Sequence, residues 1–142
     1  MLTRRIIPCL DIRDRKVTKG VRFQNNVVLG DPVALAAKYC AEGCDELVFY
    51  DITASAERRE IDIAMVRDVA RAVRIPFAVG GGIAGLADMS AVLQAGAEKI
   101  SVNSLAVENP RIIAEGAREF GAQCIVLGMD PVRVADRARC PS

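Results

Sequence analysis

Short apolar runs alternate with longer segments of helical period along this chain. RIIPCLD (5–11) reads as a strand, PVALAAKYCAEG (32–43) as a helix stopped by Gly43, and ELVFYD (46–51) as a second strand. The pattern then predicts a helix over 57–73, a strand at PFAVGG (76–81) and a helix over 86–95 stopped by Gly96. EKISVN (98–103) is a fourth strand, PRIIAEGAREFG (110–121) a helix with proline at its start and glycine at its end, and CIVLGMD (124–130) a fifth strand. Residues 131–142 are polar and without periodicity, which predicts an irregular tail.

That is strand–helix four times with one strand more. Near-continuous apolar strands alternating with helices argue for a parallel α/β sheet carrying its helices on the outer face. The spacing contains no linker, low-complexity tract or long charge run, so one domain over 1–142 is expected.

Composition narrows the function more than the fold. Lys+Arg 19 against Asp+Glu 18 leaves a net charge of +1, which gives no electrostatic case for nucleic acid or an anionic membrane. With two Tyr, four Phe and no Trp, base-stacking platforms are not expected either. The five cysteines (Cys9, Cys40, Cys44, Cys124, Cys140) contain no CxxC, and the chain has no histidine. A Cys/His zinc site and a Cys–His nucleophile pair are therefore excluded, and reduced thiols are expected. No run approaches membrane-spanning length, and no charged segment followed by an apolar one opens the chain. A soluble, cytoplasmic protein is the expectation.

In parallel α/β architectures ligands gather at the carboxyl ends of the strands. Here those ends carry Asp11, Asp51 with Thr53, Gly80–Gly82, Ser101 with Asn103 and Ser104, and Asp130. Side chains alternate along a strand, so Arg5, Ile7, Cys9 and Asp11 share one face, as do Cys124, Val126, Gly128 and Asp130. Asp11 and Asp130 are thus expected on the concave side near one rim, where two carboxylates can act as general acid and base. An aspartate that ends a strand also commonly caps the turn or helix that follows. The triple glycine beside SVNS suggests backbone N–H groups and small polar side chains that can cradle a phosphate, aided by a following helix N-terminus. No GxGxxG or GxxxxGK[ST] is present, so dinucleotide and P-loop readings lack support. Lys19 lies on the loop expected after the first strand. At the other rim Arg5, Glu46 and Lys99 each open a strand with inward parity, and their mixed signs could pair across the floor of a closed or half-closed sheet.

Taken together, RIIPCLDI, the Lys19–Gly20 loop, DELVFYDITAS, PFAVGGGI, KISVNS, AVENP and the GMD strand end resemble the cyclase subunit of imidazole glycerol phosphate synthase, from histidine biosynthesis. The resemblance runs in unbroken order over residues 1–130. It implies a TIM-type (β/α) barrel, here about four and a half βα units and so half a barrel. It also implies condensation of ammonia with a phosphoribulosyl formimino aminoimidazole carboxamide ribotide, giving imidazole glycerol phosphate and aminoimidazole carboxamide ribotide. Asp11 and Asp130 fall on the family's acid/base pair and Lys19 on an active-site lysine. Gly81, Gly82, Asn103 and Ser104, with Ser101 and Asp51 beside them, fall at one of two phosphate-binding sites, Ser104 standing where Thr is commoner. Arg5, Glu46 and Lys99 match a charged gate through which ammonia enters from a glutaminase partner docked on the N-terminal face. No metal or organic cofactor is implied.

A full barrel of this type runs to about 250 residues, so a half barrel, a fragment, or a self-associating pair of copies is expected. An open five-stranded flavodoxin-like sheet is the alternative fold. An inert half barrel keeping one phosphate site, and an isomerase acting on a related ribotide, are the alternative functions.

Overall fold

The computed structural model describes residues 4–21, 24–57 and 60–131. The tail expected over 131–142 lies outside the described residues except for Pro131, and so does Cys140. The first part of the chain forms strands β1 (Cys9–Arg13), β2 (Lys16–Val21) and β3 (Gln24–Gly30), then helix α1 (Pro32–Ala41). Strand β4 (Leu47–Asp51) is followed by α2 (Ile52–Glu57) and α3 (Ile63–Ala72), and β5 (Phe77–Gly80) by α4 (Leu86–Gln94). Strand β6 (Lys99–Val102) leads into α5 (Ser104–Glu108) and α6 (Arg111–Phe120), and β7 (Ile125–Leu127) ends the described strands.

All seven strands lie in one sheet, in the order β3-β2-β1-β4-β5-β6-β7. From β1 onward the neighbours are parallel and follow chain order. A flavodoxin-like sheet reverses direction at a switch point, with order 2-1-3-4-5. Among the described residues the parallel strands show no such reversal, so that alternative is set aside. The helices agree, because α1 packs on α3, α3 on α4, and α4 on α6. They form one layer on one face, as in the wall of a βα barrel.

The core lies between that layer and the sheet. Leu10, Ile12, Leu47, Phe49, Phe77, Val79, Ile100 and Val102 alternate along their strands and are buried against Met65, Val66, Val69, Met89, Val92 and Ile112. Phe49 and Phe77, on adjacent strands, meet edge to face with ring centroids 6.0 Å apart, the arrangement their quadrupoles favour. Asp31 and Asp62 start α1 and α3, each carboxylate accepting the backbone N–H three residues on, from Ala34 and Met65.

The largest departure from expectation is the segment after β1. It is an antiparallel hairpin rather than a loop, with β2 pairing both β1 and β3. Its first turn, Asp14–Arg15, has φ of 48° and 60°, the left-handed values a two-residue hairpin turn needs at both centres. The usual glycine signal is missing there. Val17 and Thr18 fix β2 by being almost fully buried. Three smaller differences follow local chemistry. The first strand begins at Cys9 rather than Arg5, although the Ile6 and Pro8 carbonyls already accept from Asp45 and Val48. The helix expected over 57–73 is present but shorter, as α3, with α2 before it. SLAVE forms a short helix of its own before α6.

Candidate functional site

The face of the sheet away from the helices is organised in rows. Asp11 lies opposite Tyr50, Tyr50 opposite Gly80, Gly80 opposite Ser101, and Ser101 opposite Val126. Above this row, at the carboxyl ends, a cavity of about 470 Å³ is lined by Asp11, Tyr50, Asp51, Gly81, Gly82, Ser101, Asn103, Ser104 and Asp130, among others. The cavity thus brings together the two aspartates and the glycine and serine segments that the sequence singled out.

Each polar group there has a definite environment. Burial pushes the Asp11 carboxyl above its ordinary value, because desolvation disfavours the charged form. Asp130 follows β7 by three residues and accepts from Asn103 Nδ2 at 2.9 Å. The Gly128 N–H, donating to the Val102 carbonyl at 2.9 Å, holds the same segment against β6. Asp51 is 2% exposed, and its Oδ1 accepts the Ala54 N–H at 2.8 Å. Its carboxylate therefore caps α2, the role a strand-end aspartate most often takes. Thr53 Oγ1 accepts from the Asp14 N–H at 3.3 Å and ties the hairpin turn to α2.

The triple glycine serves two ends. Gly81 (φ 84°) and Gly82 (φ 70°) occupy left-handed backbone. A Cβ on Gly81 would also stand 2.3 Å from the Asp51 carbonyl oxygen. Close passage of β5's end over β4's end therefore requires glycine at 81 whatever occupies the cavity. Both glycines line the cavity.

Lys19 is placed differently from expectation. It lies on β2 opposite Val27, exposed, and is not among the residues lining the cavity. At the opposite end of the strands the three predicted charges do meet. Glu46, 4% exposed, receives Arg5 Nη1 at 3.1 Å and Lys99 Nζ at 2.5 Å. Tyr50 was missed by the sequence reading, although the alternation that placed Asp11 inward also places its register partner there. Among the described residues no cluster of His, Cys, Asp and Glu could hold a metal ion, and no helix is long and apolar enough to cross a membrane.

A one-layer βα wall whose strand ends carry two aspartates and a glycine segment around one cavity is the architecture of the βα-barrel class. The chain belongs to the histidine biosynthesis protein family, which it matches over residues 5–138. It is 62% identical over 142 residues to a protein of Desulfosudis oleivorans named imidazole glycerol phosphate synthase subunit HisF, covering all of this chain and 55% of that one. A protein of the same name from Syntrophobacter fumaroxidans is 61% identical with the same coverage. One from Desulforapulum autotrophicum is 61% identical over 137 residues, 96% of this chain and 53% of its own. The chain thus spans about half the length of the curated relatives it matches. The resemblance drawn from the strand-end motifs is borne out by these names.

Proposed function

We propose that this chain supplies the amino-terminal half of a cyclase site that condenses ammonia with a phosphoribulosyl formimino aminoimidazole carboxamide ribotide. The observation that carries this reading is the shared cavity of Asp11 and Asp130 with Gly82, Asn103 and Ser104. In it the N–H groups at Gly81 and Gly82, with the Asn103 amide and the Ser104 hydroxyl, hold a substrate phosphate. Ser101 and Asp51 complete the wall around it. Asp11, whose burial favours its protonated form, acts as acid and Asp130 as base. Lys19, exposed on β2, stands where the family's active-site lysine falls and is its counterpart in this reading. Ammonia enters past Arg5, Glu46 and Lys99, delivered by a glutaminase bound on the face where those charges pair. The chemistry asks for no metal or organic cofactor, and the protein works in the cytoplasm.

One observation favours a second reading, an inert half barrel that binds a phosphate ester and assembles with further copies. β7 has three residues, and beside the open inner face it leaves Val126, Leu127 and Met129 exposed at 38%, 42% and 73%. Edge strands of this kind recruit partners.

The test is turnover of the purified chain on the formimino ribotide with ammonium salt in place of glutaminase. Turnover that disappears in Asp11→Asn supports the cyclase reading. Phosphate-ester binding without turnover in any assembly state supports the second. Absence of both defeats the two together.

A further inference from the structure

One hydroxyl inside the cavity has no part in the reaction proposed above. Tyr50 and Ser101 flank Gly80 in a single register row, with Asp11 next beyond Tyr50. The phenol oxygen reaches across β5 to within 3.5 Å of Ser101 Oγ. Gly80 has no left-handed φ to explain it; space does. A Cβ there would stand 3.0 Å from Tyr50 Cδ1, from Ser101 Cβ and from the Ser101 carbonyl oxygen. The missing side chain is what lets the tyrosine ring lie over β5 and bring its hydroxyl to the cavity floor.

We propose that Tyr50 is a specificity residue, whose hydroxyl together with that of Ser101 recognises a sugar hydroxyl of a ligand anchored by its phosphate at Gly82, Asn103 and Ser104. This rests on the phosphate reading given above and adds the chemistry of the part next to the phosphate. A separation of 3.5 Å is the outer limit of a hydrogen bond, so the two hydroxyls satisfy each other weakly. Each keeps donor and acceptor capacity for a ligand. The neighbourhood selects what that ligand group is. The described residues lining the cavity include Asp11, Asp51 and Asp130 and no Lys or Arg, so a second anion beside Tyr50 would meet carboxylates with no cation to offset them. A neutral hydroxyl, able to donate and accept, suits the pair, and the ring offers an apolar face to the carbon side of a sugar. About 470 Å³ of space holds far more than a phosphate alone and lies in the range of small-molecule sites.

The experiment titrates the full chain with two probes, inorganic phosphate and ribose 5-phosphate, by calorimetry. The unaltered chain binds ribose 5-phosphate more tightly. Tyr50→Phe, which keeps the ring and its packing, weakens ribose 5-phosphate about tenfold and leaves inorganic phosphate unchanged. If Tyr50→Phe leaves ribose 5-phosphate affinity where it was while inorganic phosphate still binds, the role of Tyr50 is overturned and the phosphate site stands. If the unaltered chain does not bind inorganic phosphate, the phosphate reading fails and this inference with it.

Discussion

Asn103 Nδ2 donates to Asp130 Oδ2 at 2.9 Å, tying the end of β6 to a carboxylate three residues past the end of β7. Strand geometry alone does not bring Asp130 to the cavity, because the ladder stops at Leu127. The amide does, together with the Gly128–Val102 bond. Asn103 therefore acts on both candidate groups at once, as a wall of the proposed phosphate pocket and as the tether of a proposed catalytic carboxylate.

A graded pair of substitutions tests that tether. Asn103→Ala removes the donor and is expected to weaken phosphate-ester binding about five- to tenfold. Asn103→Asp puts a second carboxylate beside Asp130 and is expected to be worse, since like charges repel each other and the anion. Calorimetric affinities in the order Asn, Ala, Asp would support the tether. An Asp variant equal to the parent would show that the donor is immaterial.

The glycines at β5's end separate two costs. Gly81→Ala combines left-handed φ with a Cβ 2.3 Å from the Asp51 carbonyl oxygen, a backbone atom that cannot swing away. It is expected to cost about 3 kcal/mol or more. Gly82→Ala meets the conformational strain of φ 70° and is expected to cost about 1 kcal/mol. Urea unfolding midpoints of the two variants measure the difference. Equal losses would mean that φ strain alone decides, and that the contact with Asp51 relaxes away.

How much of this was legible in the sequence depends on which force sets each element. Alternation of apolar residues gave the five parallel strands and the inward parity of Asp11, because the side-chain period of a strand is fixed by covalent geometry. The same parity carried Arg5, Glu46 and Lys99 to one end. The hairpin was not legible. Its turn uses Asp14 and Arg15 where glycine or asparagine would announce it, and β2 is read as KVTKGV, too polar to suggest Val17 in the core. Lys19 was consequently expected on a loop and lies on a strand. Tyr50 stayed hidden for another reason. An aromatic within an apolar run reads as core, and its exposure to the cavity depends on Gly80 one strand away, a contact that only the register reveals.

The cations around buried Glu46 give a ranking. Glu46 is held by one cation with 62% side-chain exposure, Arg5, and one with 25%, Lys99. Arg5→Ala is expected to cost less than about 1 kcal/mol, as for an exposed pair. Glu46→Gln leaves Lys99 facing a neutral amide at a cost of about 1–2 kcal/mol, and Glu46→Ala, which removes the acceptor altogether, about 3 kcal/mol. Chemical denaturation of the three variants orders them. An Arg5→Ala loss as large as that of Glu46→Ala would show that the arginine, and not the lysine, is the partner that matters.

The most informative single substitution is Asp11→Asn, because it is expected to move stability and activity in opposite directions. Burial raises the Asp11 carboxyl above its unfolded-state value. Between the two values the folded chain binds more protons than the unfolded one, so stability falls as pH rises through that window. The penalty is complete above the folded-state value and absent below the unfolded one. An asparagine carries no such penalty. The variant should therefore be more stable than the parent at about pH 7 and lose that advantage toward about pH 3, where the parent's carboxyl is protonated in both states. Turnover on the ribotide should be lost in the same variant. Unfolding free energies of both chains measured from about pH 3 to about pH 8 check the sign. A difference that does not vary with pH, or that favours the parent at neutral pH, would mean that Asp11 is held by favourable contacts. It would then be a structural residue, and the assignment of Asp11 as the acid would go with it.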